Sequence, residues 1–434
     1  MTDKKPAPSD VSLTSTPTLD EESPFRNMMV SFEEAARVLG ADLTEFDALT
    51  KPDREIKVAI PVLRDNGKLT VFDGYRVQHN AGLGPFLGPL RLQGDMRMDD
   101  LRALAAWMTW KSALLNVPFG GSAGGISIDT KQHSRAEIER AVRRYTANLL
   151  GDVGPDRDVF MPDLKAGEKV MAWVMDTISN HARHTENPAV TGKPLELGGS
   201  LGHNDAVARG IYVIMRLAVQ HLSLPRGPLR VIVQGAGTVG GNLARLLHQA
   251  GHIVCGISDV HGAFFHEKGL PIPSILAHRE RHDSLKDCSG NFDHITNGDL
   301  MTRPCDVLIP CAVPNAINSN NANKIATRLV IEGAHGPVSS KADRILHGLG
   351  IPVVPDILAN GGGVVLSYFE WVQNRTGFSW IEPVVEKRLN RFMREAWNSV
   401  RAVQDEHNVR LRMAANVLAV QRVTTADEAR GIYA

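Results

Sequence analysis

A short glycine-rich segment in the second half of the chain has the spacing of a nucleotide-binding turn. It consists of Gly235, Ala236, Gly237, Thr238, Val239 and Gly240. An apolar run over 229–234 precedes it and a helical pattern follows, so it joins a buried strand to a helix amino terminus. Such a turn lets backbone N–H groups approach a pyrophosphate closely. We therefore predict a dinucleotide site here.

Asp259 indicates which dinucleotide is bound. It lies 19 residues beyond Gly240, at the end of the next predicted strand, 253–258. A carboxylate at this position suits the ribose hydroxyls of NAD and repels the extra phosphate of NADP. No arginine or lysine follows Asp259 immediately. NAD is the predicted cofactor.

The elements around this turn alternate between helix and strand. Further strand patterns occur at 307–310, 329–332 and 351–354, which is typical of a doubly wound parallel sheet. The first half of the chain differs. There a turn at 65–67 joins strand patterns at 56–62 and 69–77, and a helical pattern covers 99–115. The predicted class is α/β, with a mixed α/β unit beside a Rossmann-type one.

The bulk composition excludes several classes of protein. A chain of 434 residues predicts two domains. Lys plus Arg equals Asp plus Glu at 48 each, which gives no basic field for nucleic acid. The absence of a long apolar run or signal-like segment argues against membrane association and indicates a cytoplasmic protein. The four cysteines lack metal-binding spacing, so no metal site is predicted.

The two ends of the chain differ in character. Residues 1–27 are polar and rich in Ser, Thr and Pro, so we expect a disordered tail. Residues 383–424 have helical spacing throughout. We expect this long helical segment to pack back on the first half of the chain.

Several blocks of the sequence resemble the glutamate dehydrogenase family, from about residue 28 to the end. The matching blocks are 74–80, 108–111, 118–125, 171–173, 191–194, 198–202 and 367–374. The resemblance implies a discontinuous substrate domain, 28–200 and 373–434, and an NAD-binding Rossmann domain, 201–372. It also implies a cleft between the two domains and assembly into a hexamer.

The resemblance also assigns roles to individual residues. Lys111 matches the lysine that binds the α-carboxylate of the substrate. Asp163 matches the aspartate that moves protons to and from the amine. Ser367 matches the serine that contacts the side-chain carboxylate.

The departures from the family pattern fall where chemistry is expected. Ala123 stands at the catalytic lysine, within a segment, 118–125, that we expect to form a glycine-lined catalytic loop. Leu87 stands at the lysine that recognises the side-chain carboxylate. Two cofactor-binding positions also differ, because Val207 stands at a cofactor-facing threonine and His335 at an asparagine. A positioned general acid or base contributes roughly 10² to 10⁴ in rate, so turnover should be near background. Lys165, two positions after Asp163, is the only local candidate to replace the lost lysine.

Three interpretations remain open. The first is a silent or impaired homologue that joins an active glutamate dehydrogenase subunit in a hexamer, regulates it, and holds an amino acid through Lys111. The second is an active NAD-dependent glutamate dehydrogenase that uses another base. The third is a dehydrogenase for apolar amino acids, because leucine-acting relatives also carry leucine at the position of Leu87.

Overall fold

A computed structural model describes residues 24–40, 49–225 and 227–431 of the chain, with side chains from Met28 onward. The first helix, α1, spans Pro24–Leu39. The tail that we predicted to be disordered falls mostly outside the described residues. Within its last four positions, 24–27, the backbone is helical.

The first half of the chain forms a five-stranded mixed sheet. Its strands are β1 (Arg54–Leu63), β2 (Leu69–Asn80), β3 (Phe86–Leu92), β4 (Gly120–Ile126) and β5 (Asp158–Pro162). They lie in the order β1-β2-β4-β3-β5. The predicted hairpin is confirmed, since β1 and β2 pair antiparallel across the turn at 65–67. Strands β4, β3 and β5 run parallel to one another.

Three helices cover this sheet. They are α2 (Met98–Leu115), α3 (Arg135–Asn148) and α4 (Glu168–Ala182). Helix α2 packs on the face of β2 and β4, and α3 and α4 lie against each other over β1 and β5. The predicted helix at 99–115 is confirmed as α2.

The glycine segment at 118–125 is not the loop that we expected. Gly120–Ile126 is the fully buried strand β4, between β2 and β3. Glycine is required because α2 comes so close: a Cβ on Gly121 would lie 2.2 Å from the backbone nitrogen of Thr109. The segment therefore allows the helix to pack closely on the sheet. Its successive side chains point to opposite faces of the sheet, as in any strand.

A buried ion pair holds the strands of this sheet in register. Arg76 Nε lies 2.9 Å from Asp158 Oδ2, which joins β2 to β5. The hydroxyl of Ser122 in β4 donates to Asp158 Oδ1 at 2.6 Å, and Gln78 Nε2 donates to Oδ2 at 3.0 Å. Both charged side chains are fully buried, so the network satisfies charges that would otherwise be costly to desolvate.

The second sheet has seven strands in the order β12-β11-β10-β6-β7-β8-β9. They are β6 (Arg230–Gln234), β7 (Ile253–Asp259), β8 (Gly262–Phe265), β9 (Asp293–Ile295), β10 (Val307–Pro310), β11 (Leu329–Ile331) and β12 (Val353–Val354). The five strands that we predicted are parallel. The antiparallel strands β8 and β9, which extend one edge of the sheet, were not predicted.

Six helices accompany the second sheet. They are α5 (Ala206–His221), α6 (Thr238–Gln249), α7 (Ile272–His282), α8 (Asn297–Thr302), α9 (Ser340–Gly348) and α10 (Asp356–Ala359). None of the helices within the described ranges is long and apolar enough to cross a membrane.

The last part of the chain contains α11 (Gly362–Thr376), α12 (Glu382–His407) and α13 (Leu411–Arg430). The predicted long helical segment at 383–424 is thus two helices, since Asn408 has a φ of 50° and ends α12. Helix α13 packs against α1 and α2, as expected, while α12 packs against α5. These contacts connect the helices of the two sheets.

Candidate active site

The glycine turn connects β6 to α6, and its three glycines have different surroundings. Gly235 has a φ of +100°, a conformation that favours glycine. A Cβ on Gly240 would lie 1.9 Å from the carbonyl oxygen of Gly235, so this glycine lets the helix pack on the strand. A Cβ on Gly237 would meet nothing within 4 Å. The chain therefore leaves open the place where a pyrophosphate would approach the backbone.

The amino terminus of α6 is available to an anion. Gly237 and Thr238 are exposed, and within the described part of the chain no side chain caps this helix. The free N–H groups of Thr238 and Val239 add to the positive end of the helix dipole.

The carboxylate of Asp259, at the end of β7, is held in place by two backbone hydrogen bonds. It accepts from the N–H group of His261 at 2.8 Å and from that of Leu285 at 2.6 Å. These residues fit a dinucleotide.

Lys111 lies in the last two turns of α2 and is buried. Its Nζ lies 2.9 Å from Nδ1 of His335, on the loop after β11. Burial lowers the pKa of Lys111 to about 8, an effect that Asp356 and Asp163 oppose. Burial also lowers the pKa of His335 well below its usual range, and the positive charges of Lys111 and Arg91 act in the same direction. At neutral pH the ammonium of Lys111 therefore donates to a neutral imidazole.

Ala123 and Leu87 are fully buried, so neither position offers a polar group to a ligand. Ala123 belongs to a cluster with Val77, Leu101, Leu104 and Ala105, which we call the position-123 cluster. It faces α2, like Gly121 two residues before it. The place of the expected lysine is thus filled by apolar packing.

Asp163, just beyond β5, is paired with a cation that the sequence analysis did not assign. Arg91 Nε in β3 lies 2.6 Å from Asp163 Oδ2, and each side chain is 24% exposed. Lys165, the local candidate to replace the lost lysine, is exposed, and its φ of +58° places it in a turn. The sequence pattern could have identified Arg91 as a site residue. It lies four residues after Leu87, and side chains alternate between the two faces of a strand, so both residues lie on the same face of β3.

Ser367 lies in α11 and is fully buried. Its hydroxyl accepts a hydrogen bond from Thr191 Oγ1 at 2.9 Å, and His203 Nε2 lies 3.4 Å away. Burial lowers the pKa of His203. Val207 lies in the first turn of α5 and faces α11, where a Cβ on Gly363 would be 3.0 Å from its Cγ2.

The structure brings some of the predicted residues into contact and leaves others apart. It joins Lys111 to His335, two residues to which we gave separate roles. It joins Asp163 to Arg91 and Ser367 to Thr191, which were not predicted pairs. Ala123 packs in the apolar position-123 cluster.

Two family models match most of the chain. Residues 52–180 match the Glu/Leu/Phe/Val dehydrogenase, dimerisation domain, and residues 198–431 match Glutamate/Leucine/Phenylalanine/Valine dehydrogenase. The glutamate dehydrogenase of Thermotoga maritima is 41% identical over 416 residues, covering 96% of this chain and 100% of the relative. The chain belongs to the glutamate dehydrogenase family. This confirms the resemblance that the sequence blocks indicated.

Two further relatives of the family are informative. The catabolic NAD-specific glutamate dehydrogenase of Bacillus subtilis is 38% identical over 418 residues, covering 95% of this chain and 98% of the relative. A crystal structure of the hetero-hexameric glutamate dehydrogenase from Thermus thermophilus, in a Leu-bound form, superimposes with a TM-score of 0.92. It is 35% identical and covers 96% of this chain and 99% of that one. The predicted α/β architecture is therefore confirmed.

Proposed function

We propose that this chain is a silent or low-activity glutamate dehydrogenase subunit, which assembles with an active subunit and regulates it. The observation that carries the proposal is the position-123 cluster: a methyl group enclosed by leucine and valine stands where the resemblance places the catalytic lysine. A missing acid–base group costs roughly 10² to 10⁴ in rate. An ammonium that stabilises charged intermediates contributes about 10² or more in addition.

The remaining polar groups of the cleft support the same proposal. Asp163 is paired with Arg91, Lys111 is bonded to His335, and Ser367 is bonded to Thr191. Each group to which we give a role in substrate binding or proton transfer has a partner from the chain itself. Such a site is stable without substrate, and its exposed lysine, Lys165, lies outside these contacts.

NAD binding is retained in this proposal. The open approach at Gly237 and the uncapped first turn of α6 favour a pyrophosphate. Asp259 favours the ribose of NAD. When bound, NAD would accept a hydride from a substrate, while in this subunit Gly235, Gly237 and Asp259 would serve to hold and orient it.

The proposed assembly follows from the family. We assign 28–200 and 373–434 to the substrate and oligomerisation domain and 201–372 to the dinucleotide domain. The Thermus thermophilus relative is described as hetero-hexameric and Leu-bound. By analogy the partner of this chain is an active glutamate dehydrogenase subunit, and an amino acid is the ligand of the cleft.

One observation favours a second candidate, a dehydrogenase for apolar amino acids. Leu87 is a fully buried apolar side chain, which suits an apolar substrate side chain and rejects a carboxylate. This candidate faces the same missing lysine. A screen of Leu, Val, Phe and Glu with NAD tests it, because turnover of the apolar substrates alone would favour it over the regulatory role.

Assembly and regulation are tested by co-expression with an active subunit that carries the catalytic lysine. The tagged chain is expected to purify with that subunit, in a particle of hexamer mass, and to change its kcat or KM for glutamate. A tagged chain that forms only its own oligomers and leaves the kinetics of the active subunit unaltered would contradict the proposal.

A further inference from the structure

The contact between Lys111 and His335 spans the two sheets of the molecule. Lys111 is carried by α2, which packs on the first sheet, and His335 follows β11 of the second sheet. The Nζ–Nδ1 distance is 2.9 Å, and the two residues are 224 positions apart in sequence. The ring of Trp107, one turn before Lys111 in α2, lies 6.2 Å from the imidazole ring. His335 is thus enclosed on the side of the first sheet.

The loop that carries His335 is anchored at both ends by buried carboxylates. Glu332 accepts hydrogen bonds from the backbone N–H groups of Val338 at 3.0 Å and Asp356 at 2.8 Å. Asp356 Oδ2 accepts from the N–H of Gly336, adjacent to His335, at 2.9 Å. These bonds fix the backbone on either side of the imidazole. The position of His335 is therefore built into the second sheet and does not depend on Lys111 alone.

Helix α13 reinforces this anchor. Arg412 Nη2 lies 2.8 Å from Glu332 Oε1, and Arg412 Nε lies 3.0 Å from Asp343 Oδ1. Burial raises the pKa of Glu332 to about 7, while Arg412 acts in the opposite direction. The cation thereby stabilises the carboxylate that holds the loop. The carboxyl-terminal helix and the His335 loop are parts of one buried network.

The charges around the contact determine what Lys111 can bind. Asp163 and Arg91 approach it from the first sheet, and Asp356 and Glu332 from the second. His335 is flanked by two cations, Lys111 and Arg91. An imidazole in this position remains neutral and accepts a hydrogen bond, but it cannot neutralise the ammonium. Lys111 therefore keeps its charge, while His335 uses one of its three N–H donors.

We propose that His335 is a specificity-determining residue that occupies Lys111 in place of a ligand carboxylate. A carboxylate that takes the N–H donor now bonded to Nδ1 of His335 breaks the contact between α2 and the loop after β11 at this point. Ligand binding is thereby coupled to the contact between the two sheets. The inference rests on the proposed function in one respect, the assignment of Lys111 to the α-carboxylate.

The test compares the binding of 2-oxoglutarate to the full-length protein and to His335→Leu, by calorimetry in the presence of NADH. Leucine has no hydrogen-bond acceptor, so the competing hydrogen bond to a charged group is removed and binding is expected to tighten about tenfold or more. Lys111→Met is expected to abolish the gain in the His335→Leu background. The matched control is His294→Leu, at a histidine whose ring packs on Phe264 and Phe292 in the second sheet, and it should bind as the parent does.

Trp107 supplies a second measurement. In the parent, 2-oxoglutarate is expected to change tryptophan emission because His335 leaves its ring, and Trp107→Phe should remove that change. A folded His335→Leu variant with unchanged or weaker affinity would overturn the inference. Ordinary glutamate turnover by the parent would instead refute the proposed function. The ratio of the affinities of the parent and the His335 variant for 2-oxoglutarate would still decide the role of His335.

Discussion

Arg91 Nε lies 2.6 Å from Asp163 Oδ2, so a neighbouring strand supplies a cation to the carboxylate that the family uses for proton transfer. This pair explains how the carboxylate remains stable without the family's lysine, because an opposite charge offsets part of its desolvation. It does not replace the lysine chemically. A guanidinium stays protonated in proteins and cannot act as a base near neutral pH.

The position-123 cluster predicts the outcome of restoring the lysine. Ala123→Lys places an ammonium among Val77, Leu101 and Leu104, so the free energy of unfolding should fall by several kcal/mol. Ala123→Met is the matched control, since it adds similar length without charge and should cost about 1–3 kcal/mol through overpacking. Urea denaturation measures both. If the two variants were equally stable, the position would have access to water or to a counter-charge.

The glycine turn predicts that two similar substitutions have different effects. Gly237→Ala meets no protein atom within 4 Å, so it should leave the thermal midpoint unchanged and weaken NADH binding. Gly240→Ala meets the carbonyl of Gly235 at 1.9 Å and should lower the thermal midpoint as well. Fluorescence titration with NADH and thermal melting separate these effects. Full NADH affinity in Gly237→Ala would refute a pyrophosphate contact at this glycine.

Lys111 predicts a pH dependence of stability. Burial lowers the pKa of Lys111 in the folded chain to about 8 from an ordinary 10.5. Between these values the unfolded chain binds more protons, so this group makes stability rise with pH, by up to about 3 kcal/mol. The cost of burying the charge is fully present below pH 8 and is lost above about pH 10.5.

Lys111→Met should lack that rise, which denaturant unfolding of the variant and the parent at pH 7.5 and pH 10 will detect. The matched control is Lys169→Met, because Lys169 is exposed in α4. Its stability should follow the parent at both pH values. Parallel pH curves for Lys111→Met and the parent would show that Lys111 is hydrated.

Local sequence patterns were sufficient for much of the fold. The hairpin at 65–67, the helix α2 and the parallel strands of the second sheet follow from residue periodicity and turn chemistry. The glycine turn was also predictable, because its pattern coincides with a strand end and a helix start. These features depend on residues that are close together in the sequence.

The features that the sequence did not predict depend on distant contacts. Glycine is a poor strand former, so β4 was mistaken for a loop; its glycines are needed because α2 lies against it. The end of α12 at Asn408 depends on one left-handed residue inside a continuous helical pattern. Arg91 and Asp163 are 72 residues apart, and Lys111 and His335 are 224 apart, so only the folded chain shows these pairs.

The rate of NADH formation by the purified chain alone, with saturating L-glutamate and NAD, shows directly whether the subunit is silent. An active family member carrying the lysine serves as the reference under identical conditions. With Ala123 in place of that lysine, we predict a kcat lower by at least about 10². A kcat within a few-fold of the reference would show that the chain possesses a working acid–base group and is not a silent subunit.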